Sequence, residues 1–172
     1  MTPPKHPAGE HQPNPNPTPE SRAACVAQLE SLADQLVAAV AGLDADQLGT
    51  KYVNWTIRQI IAHLADSHAN AFIRFKWALT EDHPTIKAYK QWEWSQLPDG
   101  DLDPSLSIPL IAALHARWAY LVKQLRPKDF AKTFLHPEGG KVYTLDSALE
   151  MYAWHGRHHT AQITWIRQNR GW

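Results

Sequence analysis

The chain is 172 residues long, 44% hydrophobic and 20% charged, which suits one domain with a sizeable core. Its 17 Lys and Arg balance 17 Asp and Glu, which removes the electrostatic case for nucleic acid or an anionic membrane as partner. The single cysteine, Cys25, excludes an internal disulfide; no apolar run approaches the roughly 18 residues of a membrane span, and a signal-peptide core is absent, so a cytoplasmic protein is expected.

Residues 1–19 carry seven of the thirteen prolines and predict an extended arm or disordered tail, leaving 20–172 as a single domain. Ser21 to Val40 reads as the first helix, with Cys25, Val26, Leu29, Leu32, Ala33, Leu36 and Val40 at helical spacing and Gly42 as a stop. Cys25 is expected to pack in that stripe, since nothing nearby in sequence would lower its pKa. Thr56-Ile57-Arg58-Gln59 has the pattern of a capping box and should open a second helix running to about Leu79. Thr80 to Ser105 lacks sustained periodicity but contains Tyr89, Trp92 and Trp94. Aromatics need burial, so this long connection is expected to form a lid or binding wall, or to cover a bundle end or a partner subunit. A third helix runs from about Ser107 or Ile108 to Leu125, its stripe made by Leu110, Ile111, Leu114, Trp118, Leu121, Val122 and Leu125, with His115 at the rim or surface. Phe134 to Thr144 reads as a short β-hairpin around Pro-Glu-Gly-Gly. Thr144 then caps a fourth helix that ends at Gly171. The sum is an all-α four-helix bundle with a long crossover between the second and third helices and a small hairpin before the fourth.

The last helix carries the chemistry. Leu145, Ala148, Leu149, Tyr152, Gly156, Ile163 and Ile166 form one stripe at about 100° per residue, and His155 and His159 fall inside it, one turn apart. His158 projects roughly 100° away from the centre of the stripe. Two imidazoles on a buried face need partners, and a divalent cation satisfies both at once. On the second helix, His63, Ser67, Asn70 and Arg74 make a polar column beside the stripe of Ile57, Ile60, Ile61, Leu64, Ala71, Phe72 and Phe75. Such a column is ordinarily solvated; facing inward, it would supply His63 as a third ligand. His68 sits nearer the stripe centre, and pattern alone does not choose between the two.

Three stretches together resemble the DinB superfamily, and within it the YfiT-like branch of metal-dependent hydrolases: WTIRQIIAHLADSHANAFIRFKWALTEDHPTIKAYKQWEW (Trp55 to Trp94), FLHPEGGKVYTL, and YAWHGRHHTAQI (Tyr152 to Ile163). The arm sequence HPAGEHQPNP resembles that branch as well. The resemblance implies a four-helix bundle holding one divalent metal ion per chain, zinc or nickel, on His63, His155 and His159. It thereby selects His63 over His68. It further implies a low-molecular-weight thiol such as bacillithiol as co-substrate for S-transfer to an electrophile, and assembly as a homodimer.

A three-histidine site keeps an open position, as catalytic sites do. A metal there can bring a bound water to a pKa of about 7, or ionise a thiol that starts near 8.5. The residue after His155 is Gly156, where H-E-x-x-H proteases have their general-base Glu. A base would have to come from Asp66, Glu81 or Asp82. Thiol transfer needs no such base and is the reading preferred. Hydrolysis of a small amide or ester is the alternative, and a non-catalytic metal- or ligand-binding bundle the third. Arg74 is a candidate for binding an anionic group of a small-molecule substrate, with Tyr89 and Trp92 as further wall residues.

Overall fold

The computed structural model describes residues 2–172. Four long helices form the body: α1 (Pro19–Val40), α3 (Ile57–Thr80), α5 (Pro104–Lys123) and α6 (Leu145–Arg170), with α2 (Ala45–Leu48) and α4 (Gln91–Ser95) as single turns. The expected caps form. Thr56 Oγ1 accepts from the Gln59 backbone N–H at 3.1 Å while Gln59 Oε1 accepts from Thr56 N–H at 3.0 Å. Thr144 accepts from Ser147 N–H at 3.1 Å, and Gly171 ends α6 in the left-handed conformation.

Each long helix packs against two others, giving the cyclic order α1, α5, α3, α6. The first two long helices therefore sit on a diagonal rather than side by side, which short up-and-down connections would not allow. The diagonal steps are made by the chains between α1 and α3 and between α5 and α6, whereas the long chain between α3 and α5 joins two neighbours. It holds α4 and a 3-10 turn at Pro98–Asp101, and Ile86 N–H donates to Leu135 O at 3.0 Å, docking it on the hairpin. The hairpin pairs β1 (Thr133–His136) with β2 (Lys141–Thr144), Phe134 opposite Tyr143, and turns through Gly139 and Gly140, both at positive φ.

Three sequence expectations are corrected. Helix α5 starts at Pro104, because Asp103 caps it through the Ser105 N–H. Leu110, expected in the core stripe, is 56% exposed and shares an outer face with Leu106 and Tyr120. His115, expected at the rim, is 1% exposed and lies deep in the bundle. By length and mean hydropathy α1 and α5 would each pass as a membrane span, yet both carry charged residues and pack side by side in the bundle. Cys25 is half-buried against the core, where burial pushes its thiol pKa up.

The arm is extended and bound along α6. Trp154 Nε1–H donates to Gly9 O at 3.0 Å, the Asn14 N–H donates to the Glu150 carboxylate at 2.9 Å, and Tyr52 Oη–H donates to Pro4 O. His6 packs against both Trp154 and His158.

The apolar interior divides in two. One cluster joins Leu29, Ala71, Phe75, Trp118, Phe134 and Leu149; the other joins Leu32, Leu36, Ile60, Ile61, Ile111 and Ile163. Between them, on α3, α5 and α6, lie His63, His68, His115, His155 and His159, in contact with one another.

Candidate metal centre

Helix spacing brings the histidines together. On α6, His155 and His159 are one turn apart and project toward α3, from which His63 meets them. The Nε2 atoms lie 3.3 Å apart between His63 and His155 and 3.1 Å apart between His155 and His159. One ligand atom from each of the three residues falls within a 4.8 Å span. The polar column on α3 faces inward: His63, Ser67 and Arg74 are all buried.

Two hydrogen-bond chains fix the tautomers around this point. The Leu29 carbonyl can only accept, so His115 Nδ1, 2.7 Å away, carries a proton. His115 Nε2 is then an acceptor for His68 Nδ1–H at 2.8 Å, and His68 Nε2 an acceptor for His155 Nδ1–H at 3.2 Å. His155 is left with a bare Nε2 lone pair. On the other side, His159 Nδ1 donates to Gln162 Oε1 at 2.8 Å, and Gln162 Nε2 donates to His158 Nε2 at 3.1 Å. His159 Nε2 is likewise a bare lone pair. Acceptors facing each other at 3.1 Å repel unless a cation lies among them. The donor set thus fits a divalent ion, with Nδ1–H of each α6 histidine held by a partner, as metal-bound imidazoles generally are.

Burial reinforces the neutral state. Desolvation pulls the His63 pKa down to about 4. His155 and His159 are pulled well below the usual range by desolvation, and then by neighbouring histidines. His68 shifts the same way, from desolvation first and His115 next. The Trp55 ring covers His63, centroids 4.4 Å apart.

Two cavities flank the cluster. One, of about 420 Å³, reaches His155 and is walled by Ser67, Arg74, Tyr89, Trp92 and Tyr152. The other, of about 350 Å³, reaches His159 and is walled by Tyr52, Trp55, Ile60, Trp92 and by Pro4 and Lys5 of the arm. Trp92 stands in both walls. Arg74, Tyr89 and Trp92, the candidate substrate residues, therefore share one cavity beside the histidines. Asp66 is absent from both walls; it is half-buried, and desolvation followed by the charge of Asp99 raises its carboxyl pKa to about 6. Sequence reasoning missed His115, Gln162 and Trp55. Only His68, one residue past Ser67 on the polar column and close to the stripe centre, carried a visible signal.

Gly156 owes its identity to packing. A Cβ there would lie 2.9 Å from Leu32 Cδ2, so the Leu32 side chain of α1 fills the space that a larger residue after His155 would need.

Comparison with known proteins agrees with the geometry. Residues 28–163 match the DinB superfamily. A protein of Bacillus mycoides strain KBAB4 named "Putative metal-dependent hydrolase" is 46% identical over 149 residues, 86% of each chain, and a Bacillus anthracis protein so named matches equally. Among solved structures, YfiT from Bacillus subtilis, described as a probable metal-dependent hydrolase with an unusual four-helix bundle topology, superimposes with a TM-score of 0.94 at 40% identity over 97% of both chains. The mycothiol-dependent maleylpyruvate isomerase shares the fold at 16% identity, with a TM-score of 0.66 over 83% of this chain and 60% of that one. With its diagonal helix order and its three convergent histidines, the chain belongs to the DinB superfamily.

Proposed function

We propose that the protein is a divalent-metal-dependent enzyme that binds one zinc or nickel ion on His63, His155 and His159 and transfers a low-molecular-weight thiol, bacillithiol-like, to an electrophile. The observation that carries the metal reading is the convergence of bare Nε2 lone pairs on His155 and His159, each pinned by a hydrogen bond to its Nδ1–H. A metal bound there supplies Lewis acidity, lowering the pKa of a thiol or water that reaches it.

The protein's own residues support transfer in two ways. First, the flanking cavities offer separate approaches, one polar along Ser67, Arg74 and Tyr152 and one apolar along Tyr52, Trp55 and Ile60. Second, Asp129 is the one buried carboxylate among the described residues, and Arg126 already pairs with it, so no buried carboxylate stands ready beside the histidines to activate water. In the reaction, the thiolate sulfur attacks the electrophilic carbon, a C–S bond forms, the leaving group departs with its electron pair, and the thiol proton passes to solvent. Trp55 and Trp92 would keep bulk water from the reacting atoms.

Hydrolysis of a small amide or ester is the second reading, favoured by the names of the relatives. Turnover of an aryl halide and of an aryl ester, each with and without added thiol, separates them. Thiol-dependent halide release supports transfer; thiol-independent ester cleavage supports hydrolysis. A cytoplasmic homodimer belongs to the same reading. The outer face of α5, with Leu106, Leu110 and Tyr120 exposed, is the surface we assign to the second copy, and sedimentation of Leu110→Glu beside wild type tests it.

A further inference from the structure

Arg74 is the one buried arginine among the described residues. A guanidinium has five N–H donors and stays charged. Nη1 donates to Tyr152 Oη at 2.8 Å, Nη2 donates to Lys87 O at a long 3.3 Å, and Nε is buried with no partner among the described residues. Among the described residues, no carboxylate lies within ion-pair distance of it. Two other arginines in the chain show what closes such an edge. Arg22 sets Nε and Nη2 on Asp146 at 2.6 and 2.8 Å, and Arg126 sets the same two nitrogens on Asp129 at 3.0 and 3.2 Å. Arg74 presents that fork without an anion, in the wall of the cavity that reaches His155.

Burying a guanidinium is costly unless a negative charge answers it, and planar bidentate recognition of carboxylate is what the group does best. The remaining charged groups of the cavity narrow the choice. Lys90, Glu93 and Glu138 are exposed at its rim, two acids against one base, while burial and then Arg74 lower the pKa of His136. A rim of that sign repels a polyanion but admits a single carboxylate to the buried cation. We propose that Arg74 is the recognition residue for a carboxylate group on the small molecule that enters this cavity. The link to a substrate rests on the metal-enzyme reading above; carboxylate binding itself does not.

The test is a ¹H–¹⁵N correlation spectrum of the arginine Nε–H groups in the zinc-loaded, full-length protein. Through-bond assignment from the Arg74 backbone identifies its signal without any variant. Propionate is expected to move the Arg74 signal saturably, whereas propionamide, which has the same shape and no charge, leaves it in place. Arg74→Gln, checked for folding by circular dichroism and for undiminished zinc content, is expected to lose at least tenfold in calorimetric affinity for propionate. An Arg74 signal unmoved by propionate, or moved equally by propionamide, overturns the proposal and leaves the metal site intact. Failure of the wild type to bind zinc would instead strike the proposed function.

Discussion

His68 Nδ1 lies 2.8 Å from His115 Nε2, and through this contact the backbone carbonyl of Leu29 on α1 determines which nitrogen of His155 on α6 is left bare. Neither residue belongs to the three-histidine cluster, yet both orient it. Orienting partners of this kind typically change metal affinity by about 10–100-fold. His68→Leu is accordingly expected to weaken zinc affinity within that range while keeping a saturable site, and His115→Leu to weaken it less. Competition with a chromophoric chelator measures both. Unchanged affinity in the two variants would remove the relay from the account.

His158 supplies the contrast. Its ring stacks on Trp154, meets His159 edge-on and accepts from Gln162 through Nε2, outside the three-ligand cluster, so His158→Ala is expected to retain one metal per chain. Elemental analysis of that variant checks the prediction, and metal loss would show that the Gln162 link matters more than the α6 geometry implies.

Acid stability follows from the buried imidazoles. His63 ionises at about 4 in the fold against an ordinary 6.5, so between those values the unfolded chain takes up the proton and the folded chain does not. Stability is thus present above pH 6.5 and lost as pH falls toward 4, at up to about 1.4 kcal/mol per pH unit for each such group. His68, His155 and His159 act in the same direction. Asp66, with its pKa raised to about 6, works in the opposite sense, but it is a single half-buried group against four histidines. Urea midpoints of the metal-free protein should fall from pH 7 to pH 5, and equal midpoints would contradict neutral burial of the layer.

Gly156 tests the packing that carries the site. With Leu32 Cδ2 2.9 Å from the place of a Cβ, Gly156→Val overpacks the α1–α6 contact and should cost about 1–3 kcal/mol in urea unfolding. A neutral substitution would mean that the two helices separate without penalty.

The arm forms part of the wall of the second cavity. Pro4 and Lys5 stand in the wall that includes His159, and removing residues 2–11 is expected to raise KM for the electrophile while metal content stays at one per chain. An unchanged KM would leave the arm with a purely packing role.

Much of this was legible in the sequence. The four amphipathic stripes, the Thr56 and Thr144 caps and the i, i+4 histidine pair appear where helical periodicity puts them, because one-dimensional spacing records which face a helix buries. What the spacing does not record is which neighbour that face meets. The polar column of His63, Ser67 and Arg74 reads as a solvated surface until the diagonal helix order turns it inward. His115 was misplaced for the same reason: its partners, Leu29 O and His68, are 86 and 47 residues away in sequence. Leu110 erred in the other direction, an apolar residue on a face the single chain leaves exposed. The arm's prolines exclude helix and central strand but say nothing of the Trp154 and Glu150 side chains that hold it.

The central claim is that three histidines hold one metal ion. Elemental analysis of untagged protein, prepared without chelators, tests it most directly in the wild type and in His63→Ala, His155→Ala and His159→Ala. The account predicts about one zinc or nickel per wild-type chain and almost none in the three variants, each still helical by circular dichroism. A wild type that neither contains nor takes up zinc or nickel, or a variant that keeps its full complement, would contradict it.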